Sequence, residues 1–359
     1  MAKLDRLLTM AVEMGASDLH ISVGEPPIMR VVGEMRPMRL APVTLEFFTE
    51  MIKEVLPEHL MEQLKVQGDL DWSYESRGLS RFRVNLFRKQ GGYGAVFRTI
   101  PSEFMTFKQL GLPNNISEFL NYSNGLILVT GPTGSGKSTT LASMIHKLNK
   151  ERRLHILTIE DPIEFVHRNI NCRITQREIG TSTNSFADAL RVALREDPDV
   201  ILVGEMRDLE TIQMALQAAE TGVLVFATMH TNSASRTMDR LINVFPADAQ
   251  EAVRAMFAAV LRGILAQQLV PRQQGGRIPA VEMLFYSSGL PHMIREGKVH
   301  MVDNMIMTGR SHGMVAMDNS LMNLVRKQVI APEVAYDYSL KKDLFRKNLS
   351  KEFGIEIKT

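Results

Sequence analysis

The chain has 359 residues, with 42 Lys and Arg against 40 Asp and Glu, one Cys and 23 Met. The length suggests about two domains, and 45% hydrophobic with 23% charged residues is typical of a globular protein rather than a disordered or fibrous one. The formal net charge of +2 excludes binding to nucleic acid by charge alone. The single Cys172 excludes an internal disulfide and any Cys-rich zinc module, and it fits a reducing compartment.

The first residues predict an amphipathic helix rather than a signal peptide. Their apolar positions have helical spacing and include Leu4, Leu7, Leu8 and Ala11. The most apolar segment further along the chain, residues 253–270, carries Arg254 and Arg262, which excludes a membrane span. We predict that this segment is a core-facing helix, and we expect a cytosolic protein.

Residues 1 to about 112 mix short strands with helices. The predicted strands cover residues 18–22, 28–32, 70–74, 80–88 and 94–100. Thr44 is expected to cap a helix that runs toward Val55, and Gly91-Gly92 is expected to form a hairpin turn. Apolar and polar residues alternate along the strand at 80–88, so one of its faces is apolar. This half is predicted to be an antiparallel α+β domain.

The rhythm changes after a linker at residues 101–113. Short, continuous apolar runs occupy residues 126–129, 156–159, 200–203 and 224–227. Such runs, with helices between them, predict a parallel sheet covered on both faces. From about residue 289 the pattern is mostly helical. The predicted domains are therefore residues 1–112, with the linker, and residues 113–359.

A phosphate-binding loop gives the strongest signal in the sequence. The segment Gly131-Pro132-Thr133-Gly134-Ser135-Gly136-Lys137-Ser138 fits G-x-x-x-x-G-K-[ST], directly follows an apolar run, and opens a helix with Thr139. Glycines allow backbone N–H groups to surround phosphate oxygens, and the helix N-terminus adds partial positive charge. We predict that Lys137 reaches the β- and γ-phosphates of ATP and that the Ser138 hydroxyl binds Mg²⁺.

Polar residues follow three later strands at the same expected edge of the sheet. Glu160, Asp161 and Glu164 follow the run that ends at 159, Glu205 follows the run that ends at 203, and His230 follows the run that ends near 227. Nucleotide hydrolysis needs carboxylates that hold the metal, directly or through water, and orient the attacking water. We expect Glu205 to position Mg²⁺ or the water, Glu164 to be the second candidate for water activation, and His230 to sense the γ-phosphate.

These segments together resemble the type IV pilus retraction, or twitching-motility, ATPases of the type II/IV secretion ATPase superfamily. Residues 131–138 are similar to the family's Walker A element, 157–165 to its Asp box, 196–208 to its atypical Walker B element and 227–231 to its His box. Residues 15–20 and 81–85 also match. The resemblance runs from about residue 4 to about residue 330 and is far more specific than a lone phosphate loop.

The resemblance implies an α/β protein with an N-terminal PAS-like α+β domain, followed by a RecA-like P-loop ATPase domain with a helical C-terminal part. It implies a homohexameric ATPase that uses ATP and Mg²⁺ to drive pilus retraction, with Glu160 and Asp161 at the nucleotide. At the positions that match the family's arginines, it implies that Arg83 and Arg98 reach the γ-phosphate. The implied place is the cytoplasmic side of the inner membrane, with a platform protein and a paralogous pilus ATPase as partners and no nucleic acid.

Extension and export relatives usually carry a further N-terminal domain and a four-Cys zinc site. This sequence begins almost at the PAS-like domain and has only Cys172, which favours the retraction branch. One segment departs from the family pattern: in Gly289–Glu296, Pro291 replaces an Arg. Pro291 either breaks a helix or occupies a tolerated first turn after a cap at Ser287 or Ser288.

Three alternatives to a retraction motor stay open at this stage. The first is a retraction-family paralogue with an accessory role, which the Pro291 departure favours. The second is a P-loop motor that acts on nucleic acid, and near-neutral charge argues against it. The third is an ATP-binding ring that regulates a partner without turnover, and its expected signature, a lost lysine or carboxylate, is absent from the sequence.

Overall fold

The computed structural model describes residues 3–76, 78–101 and 103–355. Two compact units emerge: Met1–Glu103 with Glu164–Val166, and Phe104–Ile163 with His167–Thr359. The first unit gives way to the second between Glu103 and Phe104. The predicted domain boundary between residues 112 and 113 stays a prediction.

The first unit is an antiparallel sheet with helices. Its strands are β1 (Asp18–Ser22), β2 (Ile28–Val31), β3 (Glu34–Pro37), β4 (Asp69–Ser76), β5 (Ser80–Lys89) and β6 (Gly92–Ile100). Its helices are α1 (Lys3–Glu13), α2 (Leu45–Lys53) and α3 (Glu58–Gln67). The strand order is β3-β2-β1-β6-β5-β4, and all neighbours run antiparallel.

The apolar face of β5 packs into the core of this unit. Phe82, Val84 and Leu86 are at most 1% exposed, because the alternation of the strand turns all three to the core. The predicted cap is confirmed, since the Thr44 hydroxyl accepts a hydrogen bond from the N–H of Phe47. The predicted antiparallel α+β character of this half is therefore confirmed.

The second unit is built on a seven-stranded sheet. Its strands are β7 (Gly125–Thr130), β8 (His155–Glu160), β9 (Arg173–Glu178), β10 (Val200–Val203), β11 (Leu224–Met229), β12 (Leu261–Pro271) and β13 (Arg277–Phe285). The order is β13-β12-β7-β11-β10-β8-β9. All neighbours are parallel except β13, which runs antiparallel to β12 at one edge. The predicted parallel sheet is confirmed.

Helices of the second unit alternate with its strands and then form a helical C-terminal part. The first six are α4 (Phe107–Leu110), α5 (Lys137–Glu151), α6 (Phe186–Ala193), α7 (Leu209–Glu220), α8 (Ala234–Asn243) and α9 (Gln250–Val260). The C-terminal part contains α10 (Leu290–Arg295), α11 (Val302–Thr308), α12 (Met317–Arg326), α13 (Pro332–Tyr338) and α14 (Lys342–Phe353). Short 3-10 segments cover Asn114–Asn121, Val299–Met301 and Gly309–His312. Within the described ranges, no helix combines the length and the apolar character that crossing a bilayer requires.

The prediction of one helix over residues 253–270 is wrong. Helix α9 ends at Val260, and from Leu261 the chain is strand β12, paired with β7 on one side and β13 on the other. Gly263 allows the close packing around β12, because a Cβ there would lie 2.4 Å from the Phe119 ring and 2.6 Å from the Leu284 carbonyl oxygen. The strand is paired on both sides and buried along most of its length, and its continuous apolar run does not distinguish it from a buried helix.

Pro291 does not break a helix. It is the second residue of α10, a first-turn position where the backbone needs no intrahelical N–H donor. The cap residue is Gly289, not Ser287 or Ser288 as the sequence predicted. The departure at Gly289–Glu296 is therefore compatible with an intact helix.

Glu282 of β13 is a buried carboxylate that joins two helix N-termini. It is 5% exposed, and it accepts hydrogen bonds from the N–H of Ala234 at 2.8 Å and of Met317 at 3.3 Å. Burial raises the pKa of Glu282 to about 7, with a smaller contribution from Asp303 and Asp318, although the two N–H groups oppose the shift. One side chain thus connects the starts of α8 and α12.

We expect Glu282 to make the stability of the protein fall as pH rises. Between a pKa of 4.5 in the unfolded chain and about 7 in the folded protein, the folded state binds more protons, so unfolding becomes easier toward neutral pH. The shift corresponds to about 3 kcal/mol across that window. In Glu282→Gln this slope should disappear, as measured by urea unfolding from about pH 5 to about pH 8. An unchanged slope in the variant would contradict the assignment.

Candidate active site

Four loops meet at the carboxyl edge of the parallel sheet. Val203 at the end of β10 pairs with Ala227 of β11 on one side and Ile159 of β8 on the other. Met229 at the end of β11 pairs with Thr130, where β7 ends. The ends of β7, β11, β10 and β8 are therefore in register, and the polar residues that follow them share one edge.

The phosphate loop connects β7 to α5. Its glycines Gly131, Gly134 and Gly136 have φ of 148°, 76° and 87°, which side chains with a Cβ rarely adopt. Lys137 is the first residue of α5 and is buried, and its Nζ donates to the carbonyls of Gly131 at 2.9 Å and Pro132 at 3.2 Å. The ammonium group is thus held directly over the loop.

Hydroxyl groups in and after the loop are available to a ligand. The buried Ser135 Oγ has no hydrogen-bond partner among the described residues. Thr133 and Gly134 are exposed, and Ser138 and Thr139 are half-buried in the first turn of α5. A buried hydroxyl without a partner costs free energy unless an oxygen-rich ligand satisfies it. The cradle therefore fits a phosphate chain, and Mg²⁺ binding by the Ser138 hydroxyl stays a prediction.

Glu205 and His230 come together as the sequence predicted, and Arg207 joins them. Nε2 of His230 lies 3.0 Å from Oε1 of Glu205. Arg207 forms a bidentate pair with the same carboxylate, with Nε to Oε1 and Nη2 to Oε2 both at 2.7 Å. Burial acts to raise the pKa of Glu205, but the hydrogen bonds from Arg207 and His230 outweigh it and hold the pKa below its usual value. Glu205 is therefore ionised.

The motif Glu205-Met206-Arg207 carried a signal for this pair that the sequence analysis did not use. The two charged residues are separated by one position, and Met206 between them is buried. In an extended segment, side chains two positions apart lie on the same side. An arginine at that spacing is therefore a natural partner for the carboxylate.

The residues after β8 have different surroundings. Glu160 Oε1 accepts hydrogen bonds from Thr158 Oγ1 at 2.7 Å and from Gln176 Nε2 at 3.2 Å, so this oxygen is engaged with β8 and β9. Asp161 is exposed, and its charge adds to the larger effect of Glu205 in raising the pKa of Arg207. Glu164 is exposed and groups with the first unit. The nucleotide-binding roles of these three residues stay predictions.

Arg83 and Arg98 form a pair in the first unit. They lie directly opposite each other on β5 and β6, and both are exposed. Like charges opposite each other are unfavourable unless an anion compensates them. Arg98 has such a partner, because its Nε lies 2.8 Å from Oδ1 of the buried Asp18. The side chain of Arg83 makes no hydrogen bond or ion pair within the described part of the chain, and a role for either arginine at a γ-phosphate stays a prediction.

Comparison with known proteins identifies close relatives. A family model described as "Type II/IV secretion system protein" matches residues 1–342. The type IV pilus retraction ATPase PilT of Pseudomonas aeruginosa is 47% identical over 332 residues, which cover 92% of this chain and 96% of that protein. The type IV pilus ATPase PilU of the same organism is 38% identical, with coverage of 93% and 87%. A crystal structure of the pilus retraction motor PilT with bound ADP matches with a TM-score of 0.89 and 43% identity, over 96% of this chain and 98% of that one.

Two glycines of the phosphate loop provide a test of its geometry. A Cβ on Gly131 would lie 2.1 Å from the carbonyl oxygen of Gln267, whereas a Cβ on Gly134 would meet nothing within 4 Å. Both have positive φ, so both alanine variants carry backbone strain of about 1 kcal/mol, but only Gly131→Ala adds a backbone clash. We expect Gly131→Ala to lower the free energy of unfolding in urea by at least about 2 kcal/mol more than Gly134→Ala. Equal losses in the two variants would contradict the described loop.

Proposed function

This chain belongs to the type II/IV secretion system protein family, and we propose that it is an ATP-hydrolysing motor that drives type IV pilus retraction. One observation carries the proposal: the phosphate loop after β7, with Lys137 over it, shares a sheet edge with the ionised Glu205 and its partner His230. The similarity to PilT, described as a retraction ATPase, supports retraction rather than extension of the pilus.

Phosphate binding is assigned to the loop and the first turn of α5. The N–H groups of residues 133, 134 and 136–139 would surround the phosphate oxygens, and the partial positive charge at the start of α5 adds to their attraction. Lys137 exchanges its loop carbonyls for the β- and γ-phosphates. Ser138 and Glu205 would hold Mg²⁺, Glu205 directly or through water. When bound, the ion neutralises charge on the transferred phosphoryl group.

Hydrolysis requires a residue that orients water, and two carboxylates are candidates. Glu205 is ionised and only 18% exposed, but Arg207 and His230 occupy its oxygens. Oε2 binds only Arg207, so it keeps a lone pair that can accept a hydrogen bond from water. We propose that His230 turns toward the γ-phosphate and thereby senses it. Glu164, Glu160 and Asp161 complete the proposed site, and Glu164 is the second candidate for water activation.

Arg83 and Arg98 are proposed to supply positive charge in the transition state. Their side-by-side position on β5 and β6 concentrates two positive charges that an anion would relieve. Asp18 anchors Arg98, so its guanidinium group has a fixed position from which it can bind an oxygen. Arg83 is the more available of the two.

We propose that the chain works as a homohexamer at the cytoplasmic face of the inner membrane. Its proposed partners are the platform protein of the pilus machine and a paralogous pilus ATPase. The higher identity to PilT than to PilU, 47% against 38%, favours the retraction motor over an accessory paralogue. The observation that favours the accessory role is Pro291 within Gly289–Glu296, although α10 accommodates this proline.

A lysine pair on α5 tests the hydrolytic activity. Lys137→Ala should lower ATP hydrolysis by the purified chain by about 100-fold or more, because the variant loses the cation at the β- and γ-phosphates. Lys147→Ala is the matched control: Lys147 lies on the same helix and pairs with Glu151 at its exposed face, so its loss should leave the rate unchanged. Normal hydrolysis by Lys137→Ala would refute the assignment. Strong stimulation of the wild type by DNA or RNA would favour a nucleic-acid motor instead.

The same two variants separate retraction from its alternatives in cells. A strain that carries Lys137→Ala should keep or accumulate surface pili and lose twitching, whereas Lys147→Ala should twitch normally. Loss of pili in the Lys137→Ala strain would indicate extension. Normal twitching in that strain would indicate an accessory role.

Arg207 gives a prediction about pH. Without its two hydrogen bonds, only His230 opposes the effect of burial on Glu205, so the pKa of Glu205 rises relative to the wild type. In Arg207→Ala, the pH below which ATP hydrolysis is lost should therefore move upward, toward neutral pH. Arg191→Ala is the control, because Arg191 is an exposed arginine that pairs with Asp188 and Glu210. An acidic limb that stays in place in Arg207→Ala would show that Glu205 is not the titrating group.

A further inference from the structure

Gln267 of β12 lies beside the phosphate loop. Ala266 pairs with Thr130, the last residue of β7, so β12 continues past the point where β7 turns into the loop. Gln267 is therefore the next residue, level with Gly131. Its side chain is 2% exposed, which requires that its polar amide find partners inside the protein.

Both ends of the Gln267 amide are hydrogen-bonded. Nε2 donates to the carbonyl oxygen of Ser135 in the loop at 2.6 Å, and Oε1 accepts from Oγ1 of Thr140 in the first turn of α5 at 2.8 Å. The carbonyl of Ser135 can only accept, so the orientation of the amide is fixed. One side chain thus ties the end of the loop to the helix that the loop opens.

The backbone of β12 approaches the loop equally closely. A Cβ on Gly131 would lie 2.1 Å from the backbone carbonyl oxygen of Gln267. A Cβ on Gly136 would lie 2.8 Å from the side-chain Nε2 of Gln267. Two loop glycines are therefore needed because Gln267 fills the space beside them. Gln267 of β12 therefore fixes the loop on one side, and the loop continues into α5 at its end.

We propose that Gln267 is a positioning residue for the phosphate loop: its amide holds the Ser135 carbonyl and Thr140 so that the loop N–H groups face the phosphates. The proposal rests on the proposed function, because it assigns a role in binding ATP. Gln267 acts through Ser135 and Thr140 and has no assigned contact with nucleotide. The sequence pattern gave no hint of it, since the loop and Gln267 are separated by about 130 residues.

The test compares KM with kcat for ATP in the full-length chain. Gln267→Met keeps the volume of the side chain and removes both hydrogen bonds. Because the loop contacts phosphate in the ground state and in the transition state alike, KM should rise about 10-fold while kcat changes less than about twofold. Thr140→Val removes one of the two bonds and should raise KM by a smaller factor.

The neighbouring Gln268 provides the matched control. It is also buried, at 7% exposed, and its side chain is on the opposite face of β12 with no hydrogen bond in the described part of the chain. Gln268→Met should leave KM unchanged. Gln267→Glu is the second variant: it can still accept from Thr140 but cannot donate to Ser135, and it should weaken ADP binding about 10-fold or more.

Four outcomes decide the proposal. A raised KM in Gln267→Met with a normal KM in Gln268→Met supports it. Equal KM values in the wild type and Gln267→Met overturn the positioning role. Equal increases of KM in Gln267→Met and Gln268→Met overturn it as well, and both results leave the proposed function standing. A wild-type chain that binds ADP without hydrolysing ATP refutes the proposed function, and ADP binding by the same variants then decides the role of Gln267.

Discussion

The parallel register of four strands is the constraint on which the site depends. Because β7, β11, β10 and β8 are hydrogen-bonded in register, their carboxyl ends lie side by side. Residues far apart in the chain, such as Lys137, Glu205 and His230, reach one edge for this reason. A shift of one residue in the ladder would move the loop after the shifted strand by about 3.3 Å along the strand direction, away from the loops beside it. The buried apolar runs that fix the register therefore also fix the chemistry.

Neighbouring side chains balance the charge of the Glu205 carboxylate. Glu205 is only partly exposed, and it stays ionised because Arg207 and His230 both bind its oxygens. In the first unit, Arg98 likewise pairs with the buried Asp18 and helps to hold the pKa of Asp18 below its usual value. In both cases a carboxylate and an arginine hold each other in a fixed orientation, at a small net gain in stability because the arginines are exposed. These two ion pairs orient the side chains and contribute little to the free energy of folding.

Two of the strands that sequence reasoning missed, β3 and β9, have weak apolar patterns. All four residues of β3 are exposed, and β9 reads Arg-Ile-Thr-Gln-Arg-Glu, so neither strand shows the alternation of a half-buried strand. Both become strands because a neighbour offers its backbone hydrogen bonds. The opposite error occurred at residues 253–270, where one apolar run contained both α9 and β12. Periodicity reports burial, and it says little where burial is complete or absent.

The sequence by itself determined the phosphate loop, the α/β class, the family resemblance and the presence of Glu205 and His230 at strand ends. These features are local, because a loop, a helix start or a buried strand depends on residues that are neighbours in the chain. Only the tertiary structure decided that Arg207 occupies the Glu205 carboxylate, that Pro291 sits in a tolerated first turn, and that Gln267 holds the loop. The Gln267 contact depends on how strands far apart in sequence pair, and the other two depend on side-chain and backbone geometry. Residue spacing allowed the Arg207 pair and the first-turn position of Pro291 without fixing either, and it gave no sign of the Gln267 contact.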